Sequence, residues 1–193
     1  MAIDLGTQHG STTELQELVR RTLDDLLNER EAKKETKPKK IAMIATKGTL
    51  DWAYPPLVLA GTAASLGWET GIFFTFYGLN IVHKKLSKKI SIAPIANPAM
   101  PMPVPVPNLL GSLPGMTPFA TFMMKKKFKD AGVASIQELT DNAIEAGVKM
   151  FPCAMTMKVF GYDKSDFMDG CEPICGAAAF LSWAADADVT LAF

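Results

Sequence analysis

At 193 residues the chain is long enough for one domain with a full core and room for an appendage. Apolar residues make up 48% and charged residues 21%, a globular balance that excludes a fibrous or wholly disordered chain. The 20 basic and 20 acidic side chains cancel, so no global field draws the protein to nucleic acid or to an anionic membrane.

Residues 1–10 read as a tail with no basic region leading into an apolar core, so no secretory signal is expected and a reducing cytoplasm is the default compartment. Ser11 followed by Glu14 has the spacing of a capping box. Leu15, Leu18, Val19, Leu26 and Leu27 then recur at helical spacing, which predicts a helix over about 12–33 with one apolar stripe. It runs into a lysine-rich stretch (Lys33, Lys34, Lys37, Lys39, Lys40) broken by Pro38. Residues 1–38 therefore separate from 39–193. The clusters Lys84, Lys85, Lys88, Lys89 and Lys125, Lys126, Lys127, Lys129 read, like the first, as solvated faces or linkers ahead of binding patches.

Lys40 to Thr46 is a short apolar strand, and Gly48-Thr49-Leu50-Asp51 a turn. Pro55 suits a first helical turn, the helix continues from Leu57 to Leu66, and Gly67 stops it. Glu69 to Thr75 is a second strand. Strand, helix and strand with short connections make a parallel sheet covered by helices, hence an α/β fold. Phe76-Tyr77-Gly78-Leu79-Asn80 leaves the carboxyl end of the second strand, the edge at which open α/β sheets bind ligands. A short helix is expected within 78–89.

Residues 90–123 break the pattern. Eight prolines, from Pro94 to Pro118, preclude a long helix, yet the segment is apolar and Met-rich. It reads as a lid over the site, as an oligomer interface, or as a contact with a membrane surface, the last being disfavoured because no proline-free run is long enough to span. Thr117 to Lys129 predicts a helix. Ser135 and Glu138 form a second capping box, opening a helix to Ala146 with Gly147 as its stop. Val148 to Phe151 is a buried strand that ends at Cys153. A helix follows from Ala154. Asp163 to Asp169 reads as a cap and short helix, Pro173 to Ala185 as the last helix, and Val189 to Phe193 as the closing strand.

Cys153 is the candidate functional residue. A thiol where a strand passes into a helix lies beside unpaired backbone N–H groups, which favour the thiolate, the form that attacks sulfur. The competing reading is a buried, inert cysteine that packs as a small hydrophobe. Thr49 and Asp51, at the end of the first strand, share the sheet edge with Cys153 and are expected at the same cleft as Gly48, although Asp51 also reads as a helix N-cap. Tyr77 and Asn80 rim the edge. Met155 and Met157 line an apolar pocket or fill the core, and Lys158 either lowers the thiol pKa or is simply solvated. Cys171 and Cys175 lack the paired spacing of a zinc site, so no metal is expected. No GxGxxG fingerprint is present, so no dinucleotide and no other cofactor is expected.

Several stretches together carry a resemblance. Lys47-Gly48-Thr49-Leu50-Asp51-Trp52-Ala53-Tyr54-Pro55-Pro56, Phe73-Phe74-Thr75-Phe76-Tyr77-Gly78-Leu79, Cys153-Ala154-Met155-Thr156-Met157 with Gly161, and Gly176-Ala177-Ala178-Ala179-Phe180-Leu181 resemble, in that order, motifs of the DsrE/DsrF-like proteins. The resemblance spans about residues 39–193. It implies a three-layer, flavodoxin-like sandwich with a mostly parallel sheet, to which this chain adds an N-terminal helix. It further implies a carrier of sulfane sulfur as a persulfide on Cys153, with rhodanese-type donors and TusA-type carriers as partners, and a homo-oligomer. Cys171 and Cys175 depart from the family pattern and are left as relay thiols, a resolving thiol, or packing. Two rival readings are a binding or scaffold module acting through 90–123, and a thiol peroxidase. The latter lacks a Thr-x-x-Cys arrangement, since Met150 and Phe151 stand before the thiol.

Overall fold

The computed structural model describes residues 7–93, 115–171 and 173–193. The chain divides into two units, Met1–Pro38 and Lys39–Phe193. The first holds a single helix, α1 (Thr7–Thr36). It starts before the expected point, so Ser11 lies inside the helix and not at its cap. Leu15, Leu18, Val19, Leu23, Leu26 and Leu27 are all exposed.

The second unit is built on four parallel strands, β1 (Lys40–Ala45), β2 (Glu69–Phe74), β3 (Lys149–Pro152) and β4 (Val189–Ala192), in the order β3-β2-β1-β4. The connecting helices are α2 (Leu50–Ser65), the short α3 (Leu79–Val82), α4 (Met116–Asp130), α5 (Ile136–Glu145), α6 (Ala154–Phe160) and α7 (Ala177–Ala184). The result is a three-layer, flavodoxin-like α/β sandwich.

Residues of period two divide between the faces of the sheet. On one face Met43, Ile72, Phe74 and Met150 meet Leu50, Ala53, Leu57 and Ala60 of α2 and Ile136 and Ala143 of α5. On the other, Ala42, Phe73 and Phe151 meet Phe180 of α7, with Trp183 at the margin. Each large side chain sealed this way contributes about 1.5–3 kcal/mol, which makes the sheet a rigid base for the loops at its carboxyl edge.

Local chemistry sets most helix ends. Ser135 and Glu138 form the expected capping box on α5, with Ser135 N–H to Glu138 Oε2 at 2.7 Å. Gly67 and Gly147 take φ of 77° and 81° behind α2 and α5, a conformation glycine adopts without a Cβ clash. Three expectations are corrected. The helix after β1 begins at Leu50, so Asp51 lies in its first turn and is not its cap; Thr49 holds the cap position without a side-chain cap bond. Pro55 falls deeper in α2 than the first turn for the same reason. The last helix begins at Ala177, not Pro173, because Cys175 is held in extended pairing with β3.

The apolar, proline-rich stretch lies largely outside the described residues, as 94–114. Its flanks are tied down: Leu50 N–H donates to Ser91 O at 2.9 Å and Ile92 N–H to Thr121 Oγ1 at 3.2 Å. Among the described residues no helix is long and apolar enough to cross a membrane.

Candidate functional site

Strand β3 runs into α6 through Cys153, which holds the N-cap position with extended backbone (φ −74°, ψ 112°). Its N–H donates to Phe74 O at 2.9 Å, tying it to the end of β2. Its carbonyl accepts from Met157 N–H at 3.0 Å and starts the helix. The side chain falls on the same sheet face as Phe73 and Phe151.

Cys153 is 3% exposed, the burial that the competing reading of an inert cysteine expects. Its next neighbours in the chain, Ala154 and Met155, are exposed, as is Phe76 after β2. Burial pushes the thiol pKa up. Against it act the Thr156 hydroxyl and N–H, the Thr75 hydroxyl and the Met155 N–H, and together they bring the pKa below the ordinary cysteine value. None of these groups makes a full-geometry cap bond to the resting sulfur; their effect is on the anion.

Thr75 and Thr156 are the residues that sequence reasoning missed. Both are buried, and their hydroxyls meet at 3.1 Å. Phe76 N–H donates into Thr156 Oγ1 at 3.2 Å. One hydroxyl hydrogen serves the Thr–Thr contact, which leaves the other for the sulfur. Phe76 itself has φ of 47°, the only positive value at a non-glycine among the described residues. The position of Thr156, three residues after a helix cap, is a local signal that finds it. Thr75 has no such signal, because it arrives through the β2–β3 register.

The other expected residues divide. Gly48 packs against the loop after β2: a Cβ there would lie 2.2 Å from Tyr77 O and 3.4 Å from Asn80 Cβ. Tyr77 is 64% exposed and stacks on Phe160 of α6 at 5.8 Å. Asn80 Oδ1 accepts from Tyr162 at 3.4 Å. These three rim the edge. Thr49 and Asp51 follow β1, two strands from β3, and neither is among the groups acting on the Cys153 thiol. Met155 is 59% exposed, whereas Met157 is core. Lys158 is exposed and is not among the groups acting on the Cys153 thiol.

The two further cysteines separate. Cys171 lies in the core cluster that contains Met43 and Met150, not in the one that contains Cys153. Burial, reinforced by Asp141 and Asp169, pushes its pKa up to about 12, so it stays protonated. Cys175 is bridged to Cys153 as a parallel neighbour and shares its cluster. Burial and the charge of Cys153 raise its pKa. Among the described residues no group of three or more His, Cys, Asp or Glu side chains could hold a metal.

Fold and site define an α/β protein that keeps an anion-stabilised thiol at the carboxyl edge of a parallel sheet. The chain belongs to the DsrE/DsrF/DrsH-like family, whose pattern matches residues 37–192 and so excludes all of α1. It is 51% identical over 157 residues to the sulfur carrier protein DsrE2 of Allochromatium vinosum, covering 79% of this chain and 97% of that protein. Over 157 residues it is 29% identical to the uncharacterized protein YrkE of Bacillus subtilis, covering 79% of this chain and 96% of YrkE.

Proposed function

We propose that this protein carries sulfane sulfur as a persulfide on Cys153 and passes it to a partner protein, acting as a relay more than as a turnover enzyme. The observation that carries the reading is the ring of Thr156, Thr75 and Met155 donors that lowers the Cys153 pKa despite burial. A thiolate is what attacks a donor persulfide, and its sulfur is also the better leaving group when the load is handed on. The 51% identity to a protein named as a sulfur carrier supports the same reading. Burial serves the task by sheltering a reactive persulfide. A donor or acceptor cysteine then approaches from the sheet edge, where Phe76 and Met155 are exposed.

Donors of the rhodanese type and acceptors of the TusA type fit this chemistry, and self-association of the chain fits its exposed apolar residues. The deciding experiment is whole-protein mass spectrometry after incubation with thiosulfate and a rhodanese donor. The wild type gains the mass of one sulfur atom and Cys153→Ser does not. Equal gain by both removes Cys153 from the role.

A further inference from the structure

The chain returns to the site a second time. After α6 it passes through Cys171 and reaches Cys175, whose N–H donates to Pro152 O at 3.1 Å and whose carbonyl accepts from Ala154 N–H at 3.0 Å. Those two bonds flank Cys153 and make the residues lateral neighbours of a parallel bridge. Lateral neighbours in a sheet lie about 4.8 Å apart and project to the same face. A disulfide needs Cα atoms about 4.4–6.8 Å apart. Both side chains indeed share one cluster, with Phe73, Phe151 and Phe180. Cys171 shares neither the bridge nor the cluster.

The sides on which the neighbours stand matter. Thr75 follows β2, whereas Cys175 pairs with the opposite edge of β3. A negatively polarised outer sulfur on Cys153 is drawn to the Thr75 and Thr156 donors, on the β2 side. Cys175 is then behind the Cys153 sulfur, where a displacing thiol must stand. Two apolar filler cysteines would also be buried here, but filler needs no bridge that aligns one sulfur with the other.

We propose that Cys175 is the resolving thiol of this site: it attacks Sγ of a Cys153 persulfide, closes the Cys153–Cys175 disulfide and expels the outer sulfur as hydrogen sulfide. The step rests on the carrier reading above. One Sγ–Sγ bond forms, and the bond from Cys153 Sγ to the outer sulfur breaks. The bonding pair leaves with the outer sulfur, which takes up the proton that Cys175 gives up. The two cysteine sulfurs are oxidised and the sulfane sulfur is reduced, so no other oxidant enters. A persulfide that finds no acceptor is thereby discharged as sulfide, and the carrier stays closed to new sulfur until a thiol reductant opens the disulfide.

The test uses the full chain, reduced, loaded with polysulfide, desalted and followed over time by intact mass and by sulfide assay. The wild type gains one sulfur, then falls to two hydrogens below the reduced mass while releasing one equivalent of sulfide. Peptide mapping then links Cys153 to Cys175. Cys175→Ser, with Cys175→Ala as the second variant should the first fail to fold, keeps the added sulfur and releases none. Cys171→Ala behaves as the wild type. A wild type that gains the sulfur and keeps it as long as the Cys175 variants overturns the step alone, as does a disulfide made to Cys171. A wild type that never gains sulfur overturns the carrier reading and the step with it.

Discussion

Thr75 and Thr156 join hydroxyls at 3.1 Å across the junction of β2 and α6, although they stand 81 positions apart in the sequence. That contact fixes the polar side of the Cys153 thiol. Thr156→Val keeps the shape and removes the hydroxyl, so the Cys153 pKa rises and alkylation at neutral pH slows several-fold. Thr156→Ser keeps the hydroxyl and stays close to wild type. The readout is the rate of iodoacetamide labelling against pH. The valine variant also leaves Phe76 N–H without its acceptor, a cost of about 1–3 kcal/mol in urea unfolding.

The three thiols label in a set order. Cys153, its pKa lowered, reacts first, and small reagents outpace bulky maleimides because the residue is 3% exposed. Cys171 with a pKa of about 12 reacts only on unfolding. A raised folded-state pKa gives stability that is full below the unfolded value, about 8.5, and lost as pH rises toward about 12. Wild type therefore loses more stability than Cys171→Ala between about pH 8 and pH 10. Urea midpoints at the two pH values decide it, and equal losses refute the linkage.

Glycines at the sheet edge and in α2 behave oppositely. A Cβ on Gly78 would lie 2.1 Å from Ala45 O, a backbone atom that cannot swing away. Gly78→Ala is expected to cost about 3 kcal/mol or more and to disturb the Thr75–Phe76 turn beside the thiol. Gly61, inside α2, has nothing within 4 Å of a Cβ. Gly61→Ala stabilises by about 0.5–1 kcal/mol. Thermal unfolding of the two variants checks both signs.

Lys40 anchors the far end of the sheet. It is 5% exposed, bonds Asp186 at 2.6 Å, lies 3.7 Å from Glu69 and sits 4.4 Å over the Trp183 ring. Trp183 Nε1 in turn donates to Glu69 at 3.0 Å. Lys40→Ala removes the buried cation of this cluster and leaves Lys149, 2.8 Å from Glu69, in place; it is expected to cost about 2 kcal/mol, since Glu69 and Asp186 reach water and can be rehydrated. Trp183 fluorescence shifts with the loss.

Much of the sheet was legible because its signals are local. Lys40–Ala45 and Glu69–Phe74 are short apolar runs bounded by charge and glycine, and Ser135 with Glu138 spells its cap within four positions. Helix starts were legible at α5, where Ser135 caps, and at α6, where Pro152 and Cys153 end the strand. At α2 the cap is Thr49 without a side-chain bond, two residues before the expected cap Asp51, so Pro55 falls beyond the first turn. Cys153 was legible as the residue between strand and helix, and Thr156 was open to the same logic.

What the sequence determined by itself, then, is the order of strands and helices and a cysteine at the mouth of α6, for those follow from residue periods and caps a few positions long. Only the tertiary structure decided which groups surround that cysteine. It set Thr75 on one side and Cys175 on the other, and sent Cys171 to the opposite face of the sheet. The physical reason is that the register of parallel strands depends on long-range packing, and a shift of one residue turns a side chain from one face to the other.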